Sequence, residues 1–141
     1  SYGSGSGTSF STPLVAGVAG MVKAIANSQN LILSPTQLQT ILKAAAQDLG
    51  PGGWDEYFGY GRLDSFRAVL AVTPGFVWVD FSVPGGGNGA YFNPYSTLQT
   101  AATFAPDNST IYIKPGTSSQ TMLINRPLTI KAYNGAITVG Q

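Results

Sequence analysis

Apolar residues recur every three or four positions in the first half of the chain, which is the spacing of a helix that buries one face. The first such stretch predicts a helix from about Thr12 to Asn27, with Pro13 in the first turn, where proline is tolerated. Gly17 and Gly20 would each destabilise an exposed helix by roughly 1 kcal/mol relative to alanine. We therefore expect a buried helix that is packed closely on several sides. Its predicted core face comprises Val15, Val18, Ala19, Val22, Ile25 and Ala26.

A second helix has the clearest boundary signals in the sequence. Ser34 is a favoured N-cap, Pro35 takes the first helical position, and Gln37 completes a capping box. We expect this helix to continue to Gly50, because glycine is typical of a helix end. Its predicted apolar stripe comprises Leu38, Ile41, Leu42, Ala45 and Leu49.

A glycine-rich aromatic segment and a short helix follow. The composition of residues 51–60 predicts a loop with a brief extended piece. Asp64 is the predicted cap of a third helix that carries Phe66, Val69 and Leu70. The aromatic side chains of the loop are expected to pack around its glycines; they are Trp54, Tyr57, Phe58 and Tyr60.

The pattern changes near Pro74, so we expect two parts, residues 1–73 and 74–141. Residues 76–83 are rich in β-forming side chains and predict a strand. Further short extended segments are separated by turn residues at 110–116, 121–125, 128–132 and 136–140. Strands this close together are typical of a meander or of successive faces of a β-solenoid. The fold class expected for the whole chain is α+β.

One further helix is predicted between these strands. Ser96 and Gln99 have the spacing of a capping box, which indicates a short helix that ends near Phe104.

Charge is sparse and nearly balanced, with seven Lys and Arg, six Asp and Glu, and a net charge of +1. Because there is no basic run, nucleic acid and anionic membrane surfaces are not expected as partners. No stretch is expected to be long enough to span a bilayer. The surface is predicted to consist of uncharged polar residues and glycine, which suits a secreted protein.

The chain contains no cysteine and no histidine. Thiolate metal sites, imidazole ligands and an imidazole base are therefore excluded within it. We assign no cofactor-binding and no metal-binding residues. The sequence begins at Ser1 without the charged start, apolar middle and small-residue cleavage site of a signal peptide. We expect either that the start was removed or that the chain is a piece of something longer.

The candidate chemistry lies in the segment GSGTSFSTPLVAG, residues 5–17. Glycines flank Ser9, and a run of small apolar residues follows. Taken alone, Ser9 is either a nucleophile at the start of a helix or a residue of a Gly/Ser-rich linker or cap. A serine hydroxyl needs an adjacent base to become a nucleophile. A position at a helix start also offers backbone N–H groups and a positive dipole end to a developing oxyanion.

The segment GTSFSTPLVAG resembles the nucleophile motif of subtilisin-like serine proteases. SPTQLQTILKAAAQDLG is similar to the helix that follows in that family, and GYGRLDSFRAV is similar to its closing segment. Phe10 and Ser11 depart mildly from the commonest Met and Ala. The resemblance covers about the first half of the chain and implies the C-terminal helices of a subtilisin-like α/β domain, residues 1–73.

The resemblance also implies a role for each part of the site. Ser9 would be the catalytic nucleophile, and its backbone N–H one oxyanion donor. The triad order in this family is Asp, His, Ser, so the two partners and the oxyanion asparagine are expected upstream of Ser1. A secreted or cell-surface endopeptidase that acts on peptide or protein substrates is implied for the parent protein. The isolated chain is expected to be inactive because it has no histidine. Calcium occurs in the family, but no site for it is assignable here.

Residues 74–141 resemble the opening of a right-handed parallel β-helix of the kind found in polysaccharide lyases and surface adhesins. The resemblance implies an N-terminal capping helix, then one or two coils, and a polysaccharide or cell-surface ligand. About three repeats are needed to bury a solenoid core, so we expect an open edge and poor solubility or association in isolation. The apolar side chains expected to face the unfinished core are Ile111, Ile113, Leu123, Ile124, Leu128 and Ile130.

Two other functions stay open at this stage. The first is a non-catalytic β-helix module for adhesion or glycan binding that carries a protease remnant. The second is a β-helix glycan lyase or hydrolase whose active coils lie beyond Gln141.

Overall fold

The structure is a computed structural model that describes residues 7–140. The chain divides into two compact units, Ser1–Thr73 and Pro74–Gln141. The first unit contains the helices α1 (Thr8–Ser28), α2 (Pro35–Ala45) and α3 (Ser65–Leu70). The second unit contains a helix, α4 (Leu98–Phe104), and five strands: β1 (Phe76–Val79), β2 (Thr110–Ile113), β3 (Gly116–Ser118), β4 (Thr129–Ala132) and β5 (Ile137–Val139).

Helix α1 begins four residues before the predicted start, so Pro13 lies inside it and not in the first turn. The expectation of a buried helix is wrong. Only one stripe of α1 is buried, at Val18, Val22 and Ala26, because α2 and α3 are the helices that pack on it. A Cβ atom added at Gly17 or Gly20 would meet nothing within 4 Å. The close packing expected at these two glycines is therefore not present in the described residues.

Helix α1 has 21 residues and is long and apolar enough to cross a membrane by length and composition. The expectation that no stretch is long enough to span a bilayer is therefore wrong. Core helices of globular proteins and secretion signals meet the same two criteria, so length and composition do not assign α1 to a membrane.

The predicted start of α2 is confirmed. The Ser34 Oγ accepts a hydrogen bond from the Gln37 N–H, and the Gln37 Oε1 accepts one from the Ser34 N–H. The predicted end at Gly50 is wrong, since the helix ends at Ala45. Beyond it, Gln47 and Arg62 exchange two backbone hydrogen bonds of 2.8 Å as an antiparallel bridge, which draws the chain out of the helix.

The predicted cap of α3 is also confirmed, because the Asp64 carboxylate accepts a hydrogen bond of 2.9 Å from the Arg67 N–H. The loop before it differs from expectation. Asp55 and Gly59 pair with each other, and Asp55 Oδ1 also accepts from the N–H groups of Tyr57 and Phe58. The predicted packing around the glycines is present only in part: the Phe58 ring lies against Gly50, where an added Cβ atom would be 3.1 Å from it, but all four aromatic side chains are exposed. The exposed side chains are Trp54, Tyr57, Phe58 and Tyr60.

The strands of the second unit form two parallel sheets, one in the order β1-β2-β4 and one of β3 and β5. A meander needs antiparallel neighbours, so these pairs exclude that alternative. The strand predicted over 76–83 ends at Val79, because the Asp80 carboxylate accepts hydrogen bonds from Ser82 and turns the chain. No strand forms over 121–125, whereas β3 lies at Gly116–Ser118. The cap of α4 is Thr97, not Ser96.

The core of the second unit lies between α4 and the first two strands of the larger sheet. Ile111 and Ile113 are fully buried, as predicted, whereas Leu123 is 83% exposed and Ile130 38% exposed. Ile130 is exposed because it lies on β4, the last strand of the sheet. The buried core residues are Val79, Leu98, Ala101, Ala105, Ile111 and Ile113.

Candidate active site

Ser9 is the second residue of α1 and is exposed. The residue before the helix is Gly7, which has φ 128° and provides no side-chain cap. This backbone conformation favours glycine. Since the first N–H groups of a helix have no partner within it, the first turn around Ser9 presents backbone donors and the positive end of the dipole. A hydroxyl and potential oxyanion donors thus occur together at one helix end.

Pro13 affects the same turn from inside the helix. A proline has no N–H, so it cannot make the bond that a helical residue donates to the carbonyl four positions earlier. That carbonyl belongs to Ser9. The first turn is held in part by a side chain, because the Thr12 hydroxyl donates a hydrogen bond of 3.0 Å to the Thr8 carbonyl.

An open apolar groove of about 620 Å³ lies beside the first turns of α1. Helix α1 contributes Ser11, Leu14 and Val15. Leu42 and Lys43 of α2 and the residue that follows this helix, Ala46, form a second wall, and residues 60–63 form the rest. Leu14 is 68% exposed although it lines this groove. The apolar side chains are therefore only partly covered by the first unit.

Two basic side chains at this groove are held by neighbours in the first unit. The Lys43 Nζ lies 4.5 Å from the centre of the Tyr60 ring, a cation–π contact. The Arg62 guanidinium donates a hydrogen bond to the Gln47 side chain. The sequence interpretation did not identify this groove, because apolar periodicity does not tell which flank of a helix stays uncovered.

A separate polar cluster lies in the second unit. The Lys114 Nζ is 3.5 Å from Asp80 Oδ2, donates to the Tyr91 carbonyl at 3.1 Å, and lies 4.5 Å from the centre of the Tyr91 ring. Burial acts to raise the pKa of the Asp80 carboxyl, but hydrogen bonds from Ser82 and the charge of Lys114 outweigh it, so the pKa lies below its ordinary value. Burial raises the pKa of the Tyr91 hydroxyl. These contacts fasten the loop that carries Tyr91 to the sheet.

The described residues offer few groups for other chemistry. Among residues 7–140 there is no group of three or more His, Cys, Asp or Glu side chains that could hold a metal ion. The chain contains no histidine that could act as a base for Ser9. A serine at a helix start without such a base cannot by itself complete nucleophilic catalysis.

Residues 1–61 match the Subtilase family. This segment includes Ser9, α1, α2 and the aromatic loop. Several curated proteins are similar to this part of the chain. An extracellular serine protease of Serratia marcescens is 34% identical over 88 residues, which cover 60% of this chain and 8% of that protein. The halolysin of Haloferax mediterranei is 42% identical over 74 residues, covering 52% of this chain and 13% of the relative.

An extracellular basic protease of Dichelobacter nodosus is 40% identical over 72 residues, which cover 51% of this chain and 12% of that protein. The aligned part of the chain thus spans only about a tenth of the length of these curated relatives. No solved structure matches the chain.

Proposed function

We propose that the chain is part of a secreted subtilisin-like serine endopeptidase, in which Ser9 is the nucleophile. The observation that carries this proposal is the position of Ser9, exposed in the first turn of a helix within the segment that matches the Subtilase family. The histidine and aspartate of the triad, and the oxyanion asparagine, would come from sequence outside this chain.

The reaction would be acyl transfer to Ser9. Its Oγ would bond to the carbonyl carbon of a peptide while the base takes the hydroxyl proton. The base would then give that proton to the departing amine, leaving an ester on Ser9 that water hydrolyses. The backbone N–H of Ser9 would stabilise the oxyanion, because preorganised donors at a helix start act where charge develops.

The exposed apolar surface of the first unit supports the proposal that this unit is part of a larger domain. Most of α1 is uncovered, including Phe10, Leu14 and Met21, and the groove beside it is open. A long helix with exposed apolar residues, and with glycines that no neighbouring atom contacts, is suited to a neighbour that packs closely on its backbone. Further residues of the protease domain would supply that neighbour.

For the second unit we propose the start of a right-handed parallel β-helix capped by α4. Support comes from the two parallel sheets. After β2 and β3, the chain forms β4, which pairs with β2, and then β5, which pairs with β3. A coil of such a helix adds one strand to each face in turn. We propose a polysaccharide or cell-surface ligand for this unit and a peptide or protein substrate for the protease, which would act outside the cell or at its surface.

The alternative is a non-catalytic β-helix adhesion or glycan-binding module that carries a protease remnant. The parallel pairing of the strands in the second unit is the observation that favours it. The encoding DNA upstream of Ser1 separates the two proposals. An open reading frame with the Asp and His motifs supports the protease, whereas a start codon directly before Ser1 supports the module.

The enzymatic test compares the full-length parent with its Ser9→Ala and Ser11→Ala variants. We expect Ser9→Ala to abolish peptide hydrolysis and labelling by a fluorophosphonate probe, with an unchanged circular dichroism spectrum. Ser11→Ala is the matched control, two residues further along the same helix, and should keep both activities. Turnover near that of the wild type in Ser9→Ala would overturn the assignment.

A further inference from the structure

The peptide group that carries the Ser9 N–H is held at its other end by a side chain. Because a peptide bond is planar, the N–H of Ser9 and the carbonyl of Thr8 form one rigid unit and rotate together. The Thr12 hydroxyl donates a hydrogen bond of 3.0 Å to this Thr8 carbonyl. Any rotation of the Ser9 N–H therefore also displaces the acceptor of the Thr12 hydroxyl.

The helical hydrogen bonds around Ser9 are incomplete. Ser9 is the second residue of α1, so its N–H has no partner within the helix. Gly7, which precedes the helix, provides no side-chain cap. The Ser9 carbonyl lacks the bond that residue 13 would donate, because Pro13 has no N–H. An additional bond from a side chain therefore restrains this turn where the backbone bonds do not.

Pro13 also explains why such a restraint is needed. A proline ring inside a helix crowds the carbonyl four residues earlier, which here is that of Ser9, and tends to bend the helix. Pro13 thus acts on one of the two peptide groups that flank Ser9, whereas the Thr12 hydroxyl holds the other. The direction of the Ser9 N–H depends on both.

The same bond strengthens the N–H as a donor. Hydrogen bonds in a chain polarise one another, so a carbonyl that accepts from a hydroxyl makes the N–H of its own peptide group more positive. Negative charge develops on the substrate oxygen only as the transition state forms. A better aligned and more polarised N–H therefore raises the reaction rate more than it improves substrate binding.

We propose that Thr12 is a positioning residue for peptide hydrolysis, an inference that rests on the function proposed above for Ser9. Through the Thr8 carbonyl, the Thr12 hydroxyl orients and polarises the Ser9 N–H that stabilises the oxyanion. Thr12 itself contacts neither the substrate nor the reacting atoms. The hydroxyl carries this role, and the methyl group of Thr12 does not.

The experiment uses the full-length parent and removes only the hydroxyl, by Thr12→Val. We expect kcat for a peptide substrate to fall by about two- to tenfold, the range for one hydrogen bond, with KM unchanged. The affinity for a peptide aldehyde should fall by a similar factor, because its adduct with a serine carries a tetrahedral oxygen like that of the transition state. Thr12→Ser keeps the hydroxyl and should retain the kcat and the aldehyde affinity of the wild type.

Thr40→Val is the matched control. Thr40 is exposed on α2, and its hydroxyl donates a hydrogen bond of 2.9 Å to the Thr36 carbonyl, four residues earlier, as Thr12 does to Thr8. Thr40→Val therefore loses an equivalent bond in a helix that does not carry Ser9, and kcat should stay at the level of the wild type.

The variant Ser9→Ala separates this proposal from the proposed function. If Ser9→Ala is inactive, an unchanged kcat in Thr12→Val, or an equal loss of kcat in Thr12→Ser or Thr40→Val, would overturn the role of Thr12 alone. A higher KM with unchanged kcat would do the same. Turnover in Ser9→Ala would overturn the proposed function, and the role of Thr12 with it.

Discussion

Gly61 lies directly against the backbone of Gln47, so that a Cβ atom at Gly61 would be 2.1 Å from the Gln47 carbonyl oxygen. Gly61 also has φ +101°, a conformation that L-residues with side chains rarely adopt. The close approach belongs to the antiparallel bridge between Gln47 and Arg62, which links the end of α2 to the segment before α3. Two independent constraints therefore require glycine at this position.

We predict that Gly61→Ala destabilises the first unit by about 2 kcal/mol or more, because the backbone must move and a strained conformation must be kept. Urea unfolding followed by far-UV circular dichroism measures this change in the helical signal. Gly52→Ala is the control, since a Cβ there would meet nothing within 4 Å. Equal unfolding midpoints for the two variants would contradict the argument.

The capping box of α2 supports a second prediction. Ser34→Ala removes the acceptor of the Gln37 N–H and should lower the free energy of unfolding by about 1 kcal/mol. Gln39→Ala, at an exposed position of the same helix, should change it by no more than about 0.5 kcal/mol. Thermal or urea unfolding of the three proteins is the measurement, and an undiminished stability of Ser34→Ala would show that the cap contributes nothing.

A third prediction separates the buried from the exposed apolar residues of the second unit. Ile111→Ala opens a cavity in the core and should cost about 2–5 kcal/mol. Leu123→Ala should have an effect below about 0.5 kcal/mol, because Leu123 is 83% exposed. Unfolding monitored by the fluorescence of Trp78, which is buried in this unit, reports on both, after Trp54→Phe removes the other tryptophan.

A fourth prediction concerns pH and the ion pair of Asp80 with Lys114. The pKa of Asp80 is lower in the folded chain than the ordinary 3.8, so its contribution to stability is complete above that value. The contribution is lost as the pH falls from 3.8 through the lower pKa of the folded state. Asp80→Asn should therefore be less stable than the wild type at pH 7, and the difference should shrink in acid.

Unfolding free energies of wild type and Asp80→Asn, measured from neutral pH into acid, check this expectation. Glu56→Gln, which alters an exposed carboxylate in the first unit, is the control and should follow the wild type. A gap between wild type and Asp80→Asn that stays constant through the acid range would exclude the linkage.

Local signals in the sequence predicted two of the three helix caps, whereas α4 is capped by Thr97 and not by Ser96. Ser34 and Asp64 cap their helices as expected, because capping depends on residues only three positions apart. The predicted end of α2 was wrong because the helix ends where Gln47 pairs with Arg62. The spacing of apolar residues along a helix carries no information about such a long-range contact. The predicted burial of α1 was wrong for a similar reason. An apolar helix face indicates that packing against another element would be favourable, but not that such an element is present.

The candidate site was predictable only in part. The residues around Ser9 indicated the nucleophile motif, and the structure adds that α1 begins at Thr8 and makes Ser9 a first-turn residue. The groove between α1 and α2 needed coordinates, since it is formed by side chains from three separated segments. The role of Ser9 in hydrolysis stays a prediction until the parent protein is assayed.

The loop after β1 occupies the outer edge of that strand, so the later strands of the larger sheet are added only on the β2 side. Each later strand of the larger sheet pairs with the one before it, first β2 on β1 and then β4 on β2. As the chain leaves the ribosome, β2 and β4 therefore each find their partner strand already synthesised. The larger sheet can fold in the order of translation, from β1 to β2 and then to β4.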